Sequence, residues 1–101
     1  VYIIREIDRE IPLDDIADAQ GLDFDTLLDD IEAIIYSGTK LNIDYFLEEV
    51  MDEDKVDEIY DYFLTSTSDS INEALDEFDG EDISEEEIRL VRIKFLSENA
   101  N

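Results

Sequence analysis

Carboxylates dominate the chemistry this sequence can offer: 31 of its 101 residues are Asp or Glu, against 7 Lys and Arg, for a net charge of −24. Paired carboxylates work as acid and base in hydrolytic sites. At this density close pairs arise from composition alone, so they point to a solvated acidic face rather than to a reaction. Asp79 and Gly80 invite comparison with a calcium loop, which has an invariant glycine and a closing bidentate Glu. Setting Gly80 at that glycine puts Glu86 at the closing position, but Leu75 then falls where the first carboxylate ligand is required. Asp52-Glu53-Asp54 stands before a helical stretch, where negative charge complements the helix dipole. There is no His and no Cys, which removes the commonest general base, thiolate zinc ligands, cysteine nucleophiles and disulfides. Gly21, Gly38 and Gly80 are too dispersed to cradle a phosphate. The residues therefore predict no catalytic residue, no metal site, and no cofactor or small-molecule site.

Positive charge is concentrated in one place, Arg89, Arg92 and Lys94 of the last helical stretch. Glu85 and Glu86 precede Arg89 by four and three residues, a spacing that suits ion pairs along one helix. Pairing with the chain's own acids is the first expectation for this cluster, and contact with nucleic-acid phosphates is the alternative. Nucleic-acid and anionic-lipid binding rest on surplus Lys and Arg, so the overall charge argues against both. No apolar stretch is long enough for a membrane span and no leader opens the chain, so the expected compartment is the cytoplasm.

High charge signals disorder only where apolar residues are scarce. Here 44% of the chain is apolar, and Gly and Pro together supply four residues. The acids are spread evenly, with 14 against 3 bases in residues 1–50 and 17 against 4 in residues 51–101. A single folded domain is expected, one whose self-repulsion makes added salt stabilising.

The apolar spacing is helical almost throughout. Val1 to Ile11 reads as a helix; Leu13, Ile16 and Ala17 follow Pro12 as a second, Pro12 standing in its first turn. Gly21 interrupts, and Asp23 is placed to cap a third helix whose face carries Phe24, Leu27, Leu28, Ile31, Ile34 and Ile35, ending at Gly38. Leu41 to Tyr45 alternates apolar and polar with period two, which predicts a short strand, and helix returns with Phe46, Leu47, Val50 and Met51. Val56, Ile59, Tyr60, Phe63 and Leu64 make another helical stripe. Ser70 with Glu73, and Ser84 with Glu87, fit capping boxes opening two more helices. The last of these is apolar on more than one side and is expected at the centre of the C-terminal half. Tyr36, Tyr45 and Tyr60 are expected in the core; Tyr62 falls off the apolar stripe and is expected at the surface as a partner contact.

The predicted fold is mainly α. Residues 1–50 form a helix-turn-helix or winged-helix-like part with a short β segment, and residues 51–101 form a small helical bundle. A generic helical bundle with a short hairpin is the other arrangement this order allows. In a helix-turn-helix the second helix offers Arg, Lys, Asn or Gln to base edges. Here the stretch Phe24 to Ser37 carries Asp25, Asp29, Asp30 and Glu32 and no Lys or Arg, so direct DNA reading is not expected. Those four acids and Tyr62 are the candidate partner-binding residues, with Arg89, Arg92 and Lys94 the candidate nucleic-acid contacts of the alternative.

Three strings carry a family resemblance: Ile34-Ile35-Tyr36-Ser37-Gly38-Thr39-Lys40-Leu41-Asn42-Ile43-Asp44-Tyr45, Val50-Met51-Asp52-Glu53-Asp54, and Glu86-Glu87-Ile88-Arg89-Leu90-Val91-Arg92-Ile93-Lys94-Phe95-Leu96. Together they resemble the extreme C-terminal segment of RecQ-family ATP-dependent DNA helicases of the Bacteroides type, a helix-turn-helix-like domain. The resemblance spans essentially the whole chain. It implies a non-catalytic C-terminal accessory domain, residues 1–101, of a 3′-to-5′ DNA-unwinding enzyme acting in recombination and repair, with Asn101 at or near the natural end. The family's ATP-binding loop, acidic motor motif and cysteine zinc site have no counterpart here, so ATP and Mg are implied for the parent chain alone. The partner it implies is the helicase core or another basic protein surface, with DNA reached through the parent chain. A structural or dimerisation module is the remaining alternative.

Overall fold

A computed structural model describes residues 2–99, which form seven α-helices and, among the described residues, no strand. Helix α1, Tyr2–Asp8, lays Ile7 against the core and leads through a turn with Glu10 at φ +60° to Pro12. Pro12 stands one position before the helix rather than inside its first turn, with φ −53° and ψ 139°, and α2 covers Leu13–Gln20. Gly21 ends α2 in the left-handed region at φ +67°, a geometry glycine adopts without steric cost. Its N–H and that of Leu22 donate to the last free carbonyls of α2, Asp18 and Ala17. Asp23 then caps α3, Phe24–Tyr36, accepting from the Thr26 amide at 2.9 Å. The three-residue turn between α2 and α3 is the expected helix-turn-helix connection.

The strand expected at Leu41 to Tyr45 is not formed, and with it the wing is absent. The period-two burial is nevertheless real: Leu41 and Ile43 are buried while Asn42 between them is exposed. Among the described residues no neighbouring segment offers a ladder. The Leu41 amide donates instead to Ser97 Oγ at 2.9 Å, and Asn42 Oδ1 accepts from the Asp44 amide, a local turn that starts α4, Asp44–Val50.

Asp52 precedes α5, Glu53–Thr65, whose inward face carries Ile59 and Phe63. In the polar connection that follows, Ser66 accepts from the Ser68 amide and Ser68 from the Ser70 amide. Ser70 in turn accepts from the Glu73 amide to open α6, Ile71–Glu77. The first expected capping box is thus half formed, because Ser68 rather than Glu73 holds the Ser70 amide. The second is complete: Glu87 N–H donates to Ser84 Oγ at 3.1 Å and Ser84 N–H to Glu87 Oε1 at 2.9 Å, opening α7, Glu85–Asn99.

Helix α7 is the centre of the molecule, not of its C-terminal half alone. It packs on α3 and α4 as well as on α5 and α6. Ile88, Leu90, Val91, Ile93 and Leu96 are each at most 3% exposed, so residues from nearly all around the helix are buried. One core cluster runs from Ile7 to Leu96 through both halves of the chain. Phe63 stacks on Phe95 at 5.6 Å, and Phe24 tilts against Phe46 at 6.2 Å.

Candidate functional site

The candidate residues from the two ends of the chain meet. Arg89 and Arg92, one helical turn apart on α7, face the stripe Asp25, Asp29, Glu32 and Tyr36 on α3. Both arrays follow from helical geometry, since positions three and four apart share a face. Arg89 reaches Asp29 at 2.6 Å, Asp25 at 3.6 Å and Glu32 at 3.7 Å. Arg92 reaches Glu32 at 3.1 Å, donates to the Tyr36 hydroxyl at 3.0 Å, and donates through Nε to the Asp69 carbonyl at 2.7 Å. The arginine side chains are each 12% exposed, while Asp25 and Asp29 are 80% and 69% exposed. Two largely buried arginines are therefore paired with Glu32, itself 15% exposed, and with two carboxylates that face water. A guanidinium suits this arrangement because its planar donors bond several acceptors at once.

Asp30, the fourth candidate acid of α3, points away from this layer, is exposed, and makes no ion pair among the described residues. Lys94 turns to another side of α7. It pairs with Asp44 at 3.0 Å and Glu98 at 2.8 Å, and its ammonium lies 5.5 Å from the centre of the Tyr60 ring. Burial works against its charge, but the two carboxylates outweigh that and raise its pKa. Glu98 shifts the other way: burial opposes its charge, while hydrogen bonds from Lys94 and Tyr60 hold it below the usual carboxylate range.

Three placements differ from the sequence expectation. Arg89 makes no ion pair with Glu85 or Glu86; it reaches across to α3, where three carboxylates converge instead of one flexible neighbour. Tyr62 is half-buried rather than a surface contact, because α6 brings Phe78 against it at 5.4 Å while Phe63 packs at 5.2 Å. Tyr36 is 59% exposed rather than in the core, since it stands at the end of α3, where α7 offers the Arg92 guanidinium and no apolar cover. Tyr45 and Tyr60 are half-buried, and the Tyr45 hydroxyl donates to the Ile11 carbonyl. Burial and the charge of Glu10 push Tyr45 up to about 12.

Ser97 had no part in the sequence reading and is the main omission. It is 4% exposed and holds the Leu41 amide, tying the α3–α4 connection to α7. Its position among Phe95, Leu96 and the end of a helix carries no signal that a partner 56 residues away needs a hydroxyl. The arginine layer did leave a signal. Two arginines three apart within a helix buried almost all round need acidic partners, and Asp25, Asp29 and Glu32 have the matching period.

A second acidic region lies where α5 meets the α6–α7 connection. A cleft of about 600 Å³ is lined by Asp52, Glu53, Asp54, Lys55, Glu58, Glu81, Asp82 and Ile83. Lys55 is engaged by Glu87 at 3.2 Å, which raises the lysine pKa. Glu81 is pushed up by a hydrogen bond with Glu58, by burial, and by the charges of Glu58 and Glu77. Among the described residues no group of three or more carboxylates is arranged to hold a metal ion, and no helix is long and apolar enough to cross a membrane.

Comparison with protein families finds that residues 1–47 match the RecQ-1-like, helix-turn-helix domain. The matched stretch spans α1 to α3 and stops within α4. No curated protein matches the chain.

Proposed function

We propose that this chain is the C-terminal accessory domain of a RecQ-like ATP-dependent 3′-to-5′ DNA helicase of the Bacteroides type, and that it works by docking rather than by catalysis. The similarity of residues 1–47 to the RecQ-1-like helix-turn-helix domain supports the parentage. The charge of α3 carries the docking reading: the helix in the recognition position has four acids and no Lys or Arg, and of those acids Asp25, Asp29 and Asp30 are exposed. A major-groove reader needs Lys or Arg against phosphates and favours Arg, Lys, Asn or Gln against base edges, and this helix has none of the four. The acidic surface suits a basic partner, either the DNA-binding surface of the helicase core or another basic protein, with charge complementarity speeding encounter. ATP, Mg and the DNA contacts belong to the parent motor, in the cytoplasm.

Anisotropy of labelled single-stranded and forked DNA, titrated with this chain at low salt, tests the reading. No binding is expected, together with salt-sensitive association when the labelled ligand is the helicase core. Saturable DNA binding abolished by charge reversal at Arg89, Arg92 and Lys94 would overturn it in favour of direct nucleic-acid contact.

A further inference from the structure

We infer that the groove between α4 and α5 seats a basic protein segment, one that inserts an apolar side chain flanked by lysines or arginines. The inference rests on the docking function proposed above and gives that reading a site and a partner chemistry. Helix α4 takes its main packing from α7, and the chain passes through Met51 and Asp52 in extended conformation before α5 begins. The two helices border a cavity of about 380 Å³ whose apolar lining is Leu47, Met51 and Val56. Through Glu48 and Met51 it adjoins a second cavity of about 260 Å³, which carries Val50 at 46% exposure.

Two features set this groove apart from the other acidic regions. Its acids are uncommitted: Glu48, Glu49, Asp52, Glu53 and Asp57 are exposed, and none makes an ion pair among the described residues. The lysines at its edges are already engaged, Lys94 by Asp44 and Glu98 and Lys55 by Glu87. The last turn of α4 holds Glu48 and Glu49 and no basic residue, at the helix end where positive charge is favoured. The groove also has an apolar lining, whereas the cleft beside the α6–α7 connection has Ile83 alone, and the α3 acids Asp29 and Glu32 are held by Arg89 and Arg92. An apolar side chain seated here gains affinity that salt does not screen, while its flanking cations answer acids the fold leaves unpaired. Nucleic acid and anionic lipid bring the wrong charge to this rim, so the occupant is a protein segment.

Fluorescein-labelled Lys-Lys-Leu-Leu-Lys-Lys and Lys-Lys-Ser-Ser-Lys-Lys, equal in charge, test this on the full chain at low salt. The leucine peptide should bind roughly tenfold tighter, the scale of burying one leucine side chain. Added salt should weaken both peptides and leave that ratio standing. Glu48→Gln/Glu53→Gln/Asp57→Asn should weaken the leucine peptide roughly fivefold more than Asp14→Asn/Asp15→Asn/Asp18→Asn, which removes the same charge from α2. Equal affinity for the two peptides, or equal losses in the two triple variants, overturns the groove and leaves docking by the wider acidic surface intact. Failure of both peptides to bind overturns the docking reading as well. Should the groove variant not fold, the methyl signals of the unaltered chain decide. Those of Leu47, Met51 and Val56 must move in step with leucine-peptide occupancy while Leu64, exposed towards the other end of α5, stays in place. Unmoved groove methyls refute the site.

Discussion

The α3–α7 layer and the cleft between α5 and the α6–α7 connection are both rich in carboxylates, yet their electrostatics are opposite. At the first, three acids converge on two arginines, with distances down to 2.6 Å. At the second, Asp52, Glu53, Asp54, Glu58, Glu81 and Asp82 line one cleft, and its lysine is engaged by Glu87. The contrast shows in Glu81, pushed above the usual carboxylate range by its hydrogen bond with Glu58 and by its acidic neighbours, whereas Glu98 beside Lys94 is held below it. A chain whose charge is spread evenly along its length has folded into one compensated face and one frustrated edge. Compensation is densest along α7, because three of the seven cations, Arg89, Arg92 and Lys94, lie on the helix that the core places in the middle.

The largest effect should come from removing that helix. A chain ending at residue 84 should show no cooperative thermal transition, and residues 1–47 alone should not fold either, since α3 and α4 lose the surface that covers them. A folded, cooperative 1–47 fragment would separate the two regions and break the comparison. Ser97→Ala should cost about 1–3 kcal/mol in denaturant titration, because the buried Leu41 amide loses its acceptor. Ser97→Thr, which keeps a hydroxyl, should cost less if space allows, and equal losses would shift the explanation from the hydrogen bond to packing.

Smaller effects of opposite sign are expected at the cleft. Glu81→Gln or Glu58→Gln should raise the melting temperature slightly, and the gain should shrink as salt is added. Destabilisation by either change would show that the cleft is not frustrated. The pH profile sharpens the same distinction. Asp23, Glu87 and Glu98 are held below their usual range, Asp23 by Thr26 hydrogen bonding, Glu87 by Ser84 and Lys55 against burial, and Glu98 by Lys94 and Tyr60. Their stabilisation is present above the unfolded-state value and is lost as pH falls through the folded one. Glu81 is raised, so its contribution is present below the unfolded-state value of 4.5 and is lost as pH rises through the folded one. Melting temperature should therefore climb slightly as pH falls from 7 towards about 5, then drop below about 4. A steady decline from pH 7 downward is the contrary result.

Much of the local architecture was legible before the fold was known. Gly21, Asp23, Ser84 and Glu87 announce helix ends by chemistry that acts over three or four residues. The helical stripes from Leu13 to Ile35 identify their own buried faces. The failed strand at Leu41 to Tyr45 shows the limit of the method: alternation reports which side chains are buried, but a strand also needs a backbone partner. Tyr62 and Tyr36 exchanged expected surroundings for the same reason, since a tyrosine's cover depends on which helix arrives beside it.

Sequence by itself determined the helical content, the caps, the acidic recognition-position helix and the need of Arg89 and Arg92 for acidic partners. Each of these depends on side-chain chemistry and spacing within a few turns. Only the tertiary structure decided that those partners are Asp25, Asp29 and Glu32, and that Ser97 serves the Leu41 amide. It also decided that α7 unites the two halves and leaves the edge between α5 and the α6–α7 connection uncompensated. Ion pairs and hydrogen bonds are short-ranged, and residues 56 or 60 positions apart meet only when burial of the whole apolar core sets the distance between them.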